Sequence, residues 1–261
     1  MKLNVGVPNS MHVAAMTQPW EHALTGEDIG KAMALADELG FHKCMLGEHF
    51  IIPQEHVALS GDHYLHGSVA LAFLAGHTKK MRVSSSVSIL PLQSPIVQAK
   101  AWSTLDWLSG GRATALFGVG WLKEEFDMLG VDFHLRGRMA DEYVAAIIEL
   151  WTAEDPEFDG EFVKFKDVGF APSRCSSRAC RSGSGAMRKR CSSGSPNSAM
   201  AGHHFAPRPK NSPNASISFD LSRNTMAGPS TCSSRWRCSM SVLTTKSWTT
   251  RAHRARTMRR R

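Results

Sequence analysis

Apolar positions along the first two-thirds of the chain alternate between strand-like runs and helical spacing. Leu3 to Val7 forms a short apolar run that predicts a strand. Ile29, Ala32, Met33, Leu35, Ala36 and Leu39 then recur at the helical period. Thr25-Gly-Glu-Asp28 ahead of them resembles a capping box with Asp as its acidic member, and Gly40 stands where a helix C-terminus favours glycine. Cys44 to Leu46 predicts a second strand, ending at Gly47-Glu-His-Phe50. A helix is expected over Asp62 to Gly76, and the Val-, Ile- and Ser-rich stretch Met81 to Leu90 predicts a third strand. Ser94-Pro95 starts the next helix with a cap followed by proline at the first helical position, and that helix runs to Gly110-Gly111. Ala113 to Val119 predicts a fourth strand. Met139, Tyr143, Ala146, Ile147 and Leu150 stripe one face of a fourth long helix, with Asp141, Glu142 and Glu149 on its polar side.

Strands alternating with helices imply a parallel sheet with right-handed crossovers, either doubly wound or closed into a barrel. Both architectures place chemistry at the C-terminal ends of the strands. The positions of interest are therefore Asn9 and Ser10, Glu48 and His49, Ser86 to Ser88, and Gly118 to Trp121. His49 follows the second strand beside a carboxylate, where an imidazole can exchange a proton near neutral pH or simply cap a helix. Gly118-Val-Gly120 allows close backbone approach to a ring or phosphate, or makes a tight turn. The dinucleotide fingerprint is absent, because Lys123 stands where its last glycine would be. Glu48, Glu55, Asp62, His49, His56, His63 and His66 raise the question of a metal site, with His63 and His66 expected on one helix face. No ligand set of recognised spacing appears among them, so no metal is expected.

Composition divides the chain near Pro172. Residues 1–172 hold 13 Lys and Arg against 22 Asp and Glu, whereas residues 173–261 hold 18 Lys and Arg and a single acid, Asp220. The second segment also contains 19 serines and five of the six cysteines. The longest apolar run, Val69 to Ala75, is too short to span a bilayer, and no secretory leader opens the chain. A cytoplasmic protein without membrane contact is the expectation.

The first segment resembles the luciferase-like flavin and coenzyme F420-dependent oxidoreductases. The resemblance rests on Thr104-Leu-Asp-Trp-Leu-Ser-Gly-Gly-Arg112, Phe117-Gly-Val-Gly-Trp-Leu-Lys-Glu-Glu-Phe126, Leu129-Gly-Val-Asp-Phe-His-Leu-Arg-Gly-Arg138 and Glu149-Leu-Trp151. Leu35-Ala to Leu39-Gly-Phe41 and Gly47-Glu-His-Phe50 match as well, and Glu161 to Phe165 with Phe170-Ala-Pro172 looks like the family's hairpin insertion. The resemblance implies an α/β fold: a partial TIM (β/α)8 barrel of about the first four strand–helix units, spanning residues 1–172. It implies a redox enzyme that transfers hydride or oxygen between a small-molecule substrate and FMN or coenzyme F420, in a family whose members are often homodimers. It places His49 and Glu48 over the cofactor ring as catalytic groups, His49 as proton donor or acceptor. Ser86, Val87 and Ser88 would back the ring, with a non-proline cis peptide expected at Ser86-Val87, and Gly118, Gly120 and Trp121 would end the fourth strand against the cofactor. Trp121 stands where sugar-phosphate-oxidising relatives carry a carboxylate, which argues against that substrate. Asp106 and Arg112 read as a structural helix-end pair.

Residues 173–261 do not continue this pattern, although a barrel needs four more strand–helix units. Three readings compete: a basic nucleic-acid-binding arm on a non-catalytic α/β fragment, a zinc or disulfide module, and a translated wrong reading frame. The spacings Cys175-x4-Cys180 and Cys232-x5-Cys238 match no usual zinc signature. Ser, Arg, Cys, Gly and Pro are what GC-rich codons yield out of phase. Permitted codons for Arg181 to Met187 contain, in another frame, Val-Trp-Val-Gly-Gly-Asp, which resembles the family's fifth strand and its Gly-Gly turn. The frameshift reading is preferred, with an irregular, disordered tail and no nucleic-acid partner.

Overall fold

The computed structural model describes residues 1–172 and, as backbone strands, Ser216–Asp220 and Val242–Leu243. Four parallel strands lie in the order β1 (Asn4–Gly6), β2 (Lys43–Leu46), β3 (Arg82–Ser85) and β5 (Ala113–Gly118), with the short β4 (Ser88–Ile89) also paired in parallel to β5. Each strand is followed by helix: α1 (Gly26–Glu38), α2 (Gln54–Ser60) with α3 (Gly67–His77), α4 (Pro95–Leu108), and α5 (Lys123–Met128) with α6 (Arg136–Thr152). These are four consecutive strand–helix units, as the alternation of periods implied, arranged as the first half of the barrel that the resemblance implied. A hairpin of β6 (Phe158–Asp159) and β7 (Lys164–Phe165) follows.

Local signals act as their chemistry dictates. Thr25 caps α1, its hydroxyl accepting from the Asp28 amide while the Asp28 carboxylate accepts from the Thr25 amide at 2.9 Å. Gly110 and Gly111, both with positive φ, end α4 and turn the chain into β5. Cys44, Leu46, Val83, Ala113, Ala115 and Phe117 from the sheet join Met33, Leu71, Leu74, Leu105 and Ile147 from the helices in one buried core.

Two charged side chains clamp the turn from α3 into β3. The Asp37 carboxylate accepts from the backbone amides of Lys79 (2.5 Å), Lys80 (3.0 Å) and Met81 (2.6 Å). From the start of β5, the Arg112 guanidinium donates to the carbonyls of Ser109, Ala75 and Met81 and to the Thr78 hydroxyl, each at 2.8–2.9 Å. Arg112 is therefore structural, and the contacts that make it so are with the turn into β3 and with Ser109 at the end of α4.

Three expectations change. The helix expected from Asp62 begins only at Gly67, because residues 62–65 pair with the loop after β1. The His12 amide donates to the His63 carbonyl (3.0 Å), the Leu65 amide donates to the Ser10 carbonyl (2.9 Å), and Met11 bridges Tyr64. His63 and His66 consequently share no helix face: His63 lies in this strap and His66 is the N-cap of α3. The third strand divides into β3 and β4 around Ser86-Val87. Beyond residue 172, Ser216–Asp220 (β8) pairs antiparallel with β5 and with Val242–Leu243 (β9). Ser-Ile-Ser-Phe-Asp has the alternation of a strand, and the outer side of β5 offers unpaired backbone groups to it. A continuing barrel would put a parallel strand there. The rest of the tail, including every cysteine pair considered above, lies outside the described residues.

Candidate active site

The C-terminal ends of the parallel strands bring the expected residues together but divide them into a buried row and an accessible row. Glu48 is 5 % exposed and both its oxygens are engaged. Oε2 accepts from the Gly67 amide at the start of α3 (3.0 Å), and Oε1 accepts from the Ser88 hydroxyl (2.6 Å) and the Ile89 amide (3.1 Å). Glu48 and Ser88 thus join β2, α3 and β4 from beneath. Gly118 is buried as well: a Cβ built on it would come within 2.6 Å of Val87 Cγ2, so glycine lets the Ser86-Val87 turn rest on β5. That peptide is cis, at the position where the resemblance placed one.

The accessible row contains His49, Ser86, Val87, Gly120 and Trp121. The His49 imidazole stands edge-on to Tyr64 at 5.0 Å and to Trp121 at 5.8 Å between ring centroids. Its Nδ1 lies 2.8 Å from Oε2 of Glu125. Glu125 is fully buried, and its Oε1 accepts from the Phe50 amide at 2.6 Å. A carboxylate can only accept, so Nδ1 carries the hydrogen and Nε2 is left as the basic nitrogen of the neutral ring. Burial raises the phenol pKa of Tyr64, with the Glu125 charge adding to it, and Tyr64 donates its hydroxyl hydrogen to the Ser60 carbonyl at 2.7 Å.

Glu125 and Tyr64 are the neighbours of His49 that the sequence reading missed. Glu125 lies within a matched stretch, and its spacing from Leu122 puts both on the buried side of a short helix. That spacing announces a buried carboxylate but not its partner 76 residues away. Asn9 and Ser10 turn out to anchor the strap. Asn9 adopts φ +53° and its amide donates to Glu21, while the Ser10 hydroxyl donates to the Val7 carbonyl at 2.7 Å. Of the acidic and histidine residues weighed for a metal, Glu55 and His56 meet Glu124 from α5. His56 Nε2 is 3.8 Å from a carboxylate oxygen of each.

Among the described residues no helix is long and apolar enough to cross a membrane. Solved structures share the fold. A monooxygenase from Streptomyces bottropensis aligns with a TM-score of 0.56 at 24% identity, over 67% of this chain and 50% of that one. The FMN-complexed oxygenating constituent of a Pseudomonas putida diketocamphane monooxygenase aligns at 0.51 and 18% identity, over 65% and 44%. An F420-dependent secondary alcohol dehydrogenase, solved with an F420-acetone adduct, aligns at 0.51 and 19% identity, over 67% and 49%. In sequence, an uncharacterised protein of Mycobacterium tuberculosis is 35% identical over 146 residues, covering 51% of this chain and 52% of its own. A pyrimidine monooxygenase of an Enterobacter species is 30% identical over 116 residues, covering 42% of this chain and 32% of its own. The chain thus spans about half the length of the mycobacterial relative and about a third of the pyrimidine monooxygenase. The luciferase-like monooxygenase pattern matches residues 9–177, well over half the chain, and the protein belongs to that family.

Proposed function

We propose that residues 1–172 form the proton-exchange and ring-binding half of a cytoplasmic oxidoreductase that uses FMN or coenzyme F420 on a small-molecule substrate. The observation that carries this reading is His49. It stands at the C-terminal end of β2, its Nδ1 held by the buried Glu125 and its ring flanked by Tyr64 and Trp121. The accessible row fits a flat ring. Val87 and Gly120 supply an apolar wall with little projecting side chain, and Trp121, about half exposed, supplies an aromatic edge. The Ser88 hydroxyl already serves Glu48, so among the serines Ser86 is the accessible donor toward that ring.

A bound FMN or coenzyme F420 would supply the two-electron chemistry. This chain's own residues do the rest. His49 takes or gives a proton at Nε2. Glu125 holds the tautomer and balances the charge when the ring is protonated. Tyr64 and Trp121 fix the plane of the imidazole. Glu48 keeps the ends of β2 and β4 in register, which makes it a positioning residue rather than a proton carrier.

Residues after 177 fall outside the family match, and the resemblance implies that loops after the later strands would hold the cofactor's phosphate. The chain as written should therefore bind either cofactor weakly. The test is a calorimetric titration with FMN and with coenzyme F420. One arm uses the chain as written. The other uses a version read from residue 173 in the frame that yields Val-Trp-Val-Gly-Gly-Asp. Loss of two charge-assisted hydrogen bonds corresponds to about a hundredfold in affinity, and the second version should be tighter by at least that. Tight stoichiometric binding by the chain as written would contradict the role given to the later loops. Absence of binding by both versions would contradict the cofactor reading itself.

A further inference from the structure

Three imidazoles meet beside the strap and serve no part of the site described above. The His12 ring stacks on His63, with centroids 4.1 Å apart and planes 19° apart, and lies 4.1 Å from His22 at a tilt of 58°. His12 and His63 both bond to Asn9: His12 Nε2 is 2.5 Å from the Asn9 side-chain oxygen, and His63 Nε2 is 3.0 Å from the Asn9 carbonyl. His12 and His63 also carry one of the strap's backbone bonds, and the next residue, Tyr64, packs on His49.

We propose that the strap formed by residues 9–12 and 62–65 is an acid-sensitive latch, closed while the His12, His63 and His22 rings are neutral and opened by protonation within the trio. Its consequence for His49 rests on the function proposed above; the latch itself does not.

The geometry supplies the reason. Neutral imidazoles stack without penalty, whereas two imidazolium rings at this distance repel with little solvent between them. Both Asn9 oxygens are acceptors, so each contacting Nε2 carries the hydrogen and leaves Nδ1 as the atom that gains a proton. Among the described residues, the charged groups that face His12 come from two segments. Glu21 and His22 come from the turn Pro19–Ala23, and Asp62 and His63 from the segment ahead of α3. Burial is the largest influence on His12 and lowers its pKa, the His63 and His22 charges lower it further, and Asp62 and Glu21 oppose them without prevailing. A histidine whose folded value lies below its ordinary 6.5 favours the closed strap above that pH, and the preference is lost as pH falls through the folded value. Opening removes Tyr64 from its edge-to-face contact with His49.

The test is hydrogen exchange on the full chain between pH 7.5 and 5.0, each amide rate divided by its intrinsic rate at that pH. The reporters are the His12 and Leu65 amides, which make the strap's cross-bonds. Their protection should fall about tenfold or more across this range, while that of the Met45 and Ser84 amides in the sheet stays constant. The double variant H12Q/H63Q should lose the pH dependence, and H22Q, at an exposed ring, should reduce it without affecting folding. Constant strap protection in the unaltered chain would overturn the proposal. So would a fall that persists in both variants, or one that the sheet amides share. None of these readouts involves a cofactor, so a failed latch leaves the cofactor reading standing, and the reverse also holds.

Discussion

His49 and Glu125 lie 76 positions apart in the chain and 2.8 Å apart in the fold, the imidazole on the loop after β2 and the carboxylate on α5. The pair couples the second strand–helix unit to the fourth. It does so at the atom that decides which imidazole nitrogen is basic.

This relationship gives the first prediction. Nitrogen NMR of the neutral His49 ring in the unaltered chain should show the hydrogen on Nδ1 and a bare Nε2. E125Q replaces an obligate acceptor by an amide that can donate or accept, so both tautomers should appear. In the version with the re-read tail, H49A should lower turnover by about 10²–10⁴-fold with little change in cofactor affinity. A neutral His49 ring with its hydrogen on Nε2 in the unaltered chain would contradict the assignment, and unchanged turnover in H49A would make His49 structural.

Asp37 predicts an acid limit to stability. Burial opposes its ionisation, but the amides of Lys79, Lys80 and Met81 and the charge of Arg112 outweigh burial and hold its pKa below the ordinary 3.8. A carboxylate depressed on folding contributes stability above its unfolded value, and the contribution is lost as pH falls through the folded one. D37A should cost on the order of 1–3 kcal/mol at pH 7, because three amides lose their acceptor. Urea midpoints measured from pH 7 down to pH 3 should show this gap closing below pH 4. A gap that does not change with pH would rule out the charge of Asp37 as its source.

Gly61 tests the strap by steric means. Its φ is +71°, and a Cβ there would lie 1.6 Å from the His12 carbonyl oxygen, a backbone atom that no rotamer change can move. G61A should therefore expose the His12 and Leu65 amides to exchange at all pH values, and should cost well over 1 kcal/mol in stability. Retained protection at these amides would mean that the strap tolerates a side chain, contrary to the geometry.

Cys44 predicts an inert thiol. It is fully buried in β2, and burial pushes its thiol pKa up to about 11. Iodoacetamide at pH 8 should leave Cys44 unmodified in the native chain and label it only after denaturant is added, as read by peptide mass spectrometry. Labelling of Cys44 at the rate of a free thiol would show that the sheet opens readily.

The sequence alone determined the class of fold and which strand ends to examine for chemistry. Strand-like runs alternating with helical stripes over residues 1–172 admit only a parallel sheet with crossovers, and that architecture directs attention to His49, Ser86 to Ser88 and Gly118 to Trp121. The break in charge and serine content near Pro172 was equally legible, because composition requires no contacts to be read. Tertiary structure decided what each residue in that set does. Periodicity reports which face of an element is buried, not what lies across from it. Glu125 therefore gained its partner, and Glu48 and Ser88 turned inward to each other, only when segments 40 to 76 residues apart were brought together. The helix expected from Asp62 failed for the same reason. The backbone of residues 62–65 found acceptors and donors on the loop after β1, and those distant bonds prevailed over local helical spacing.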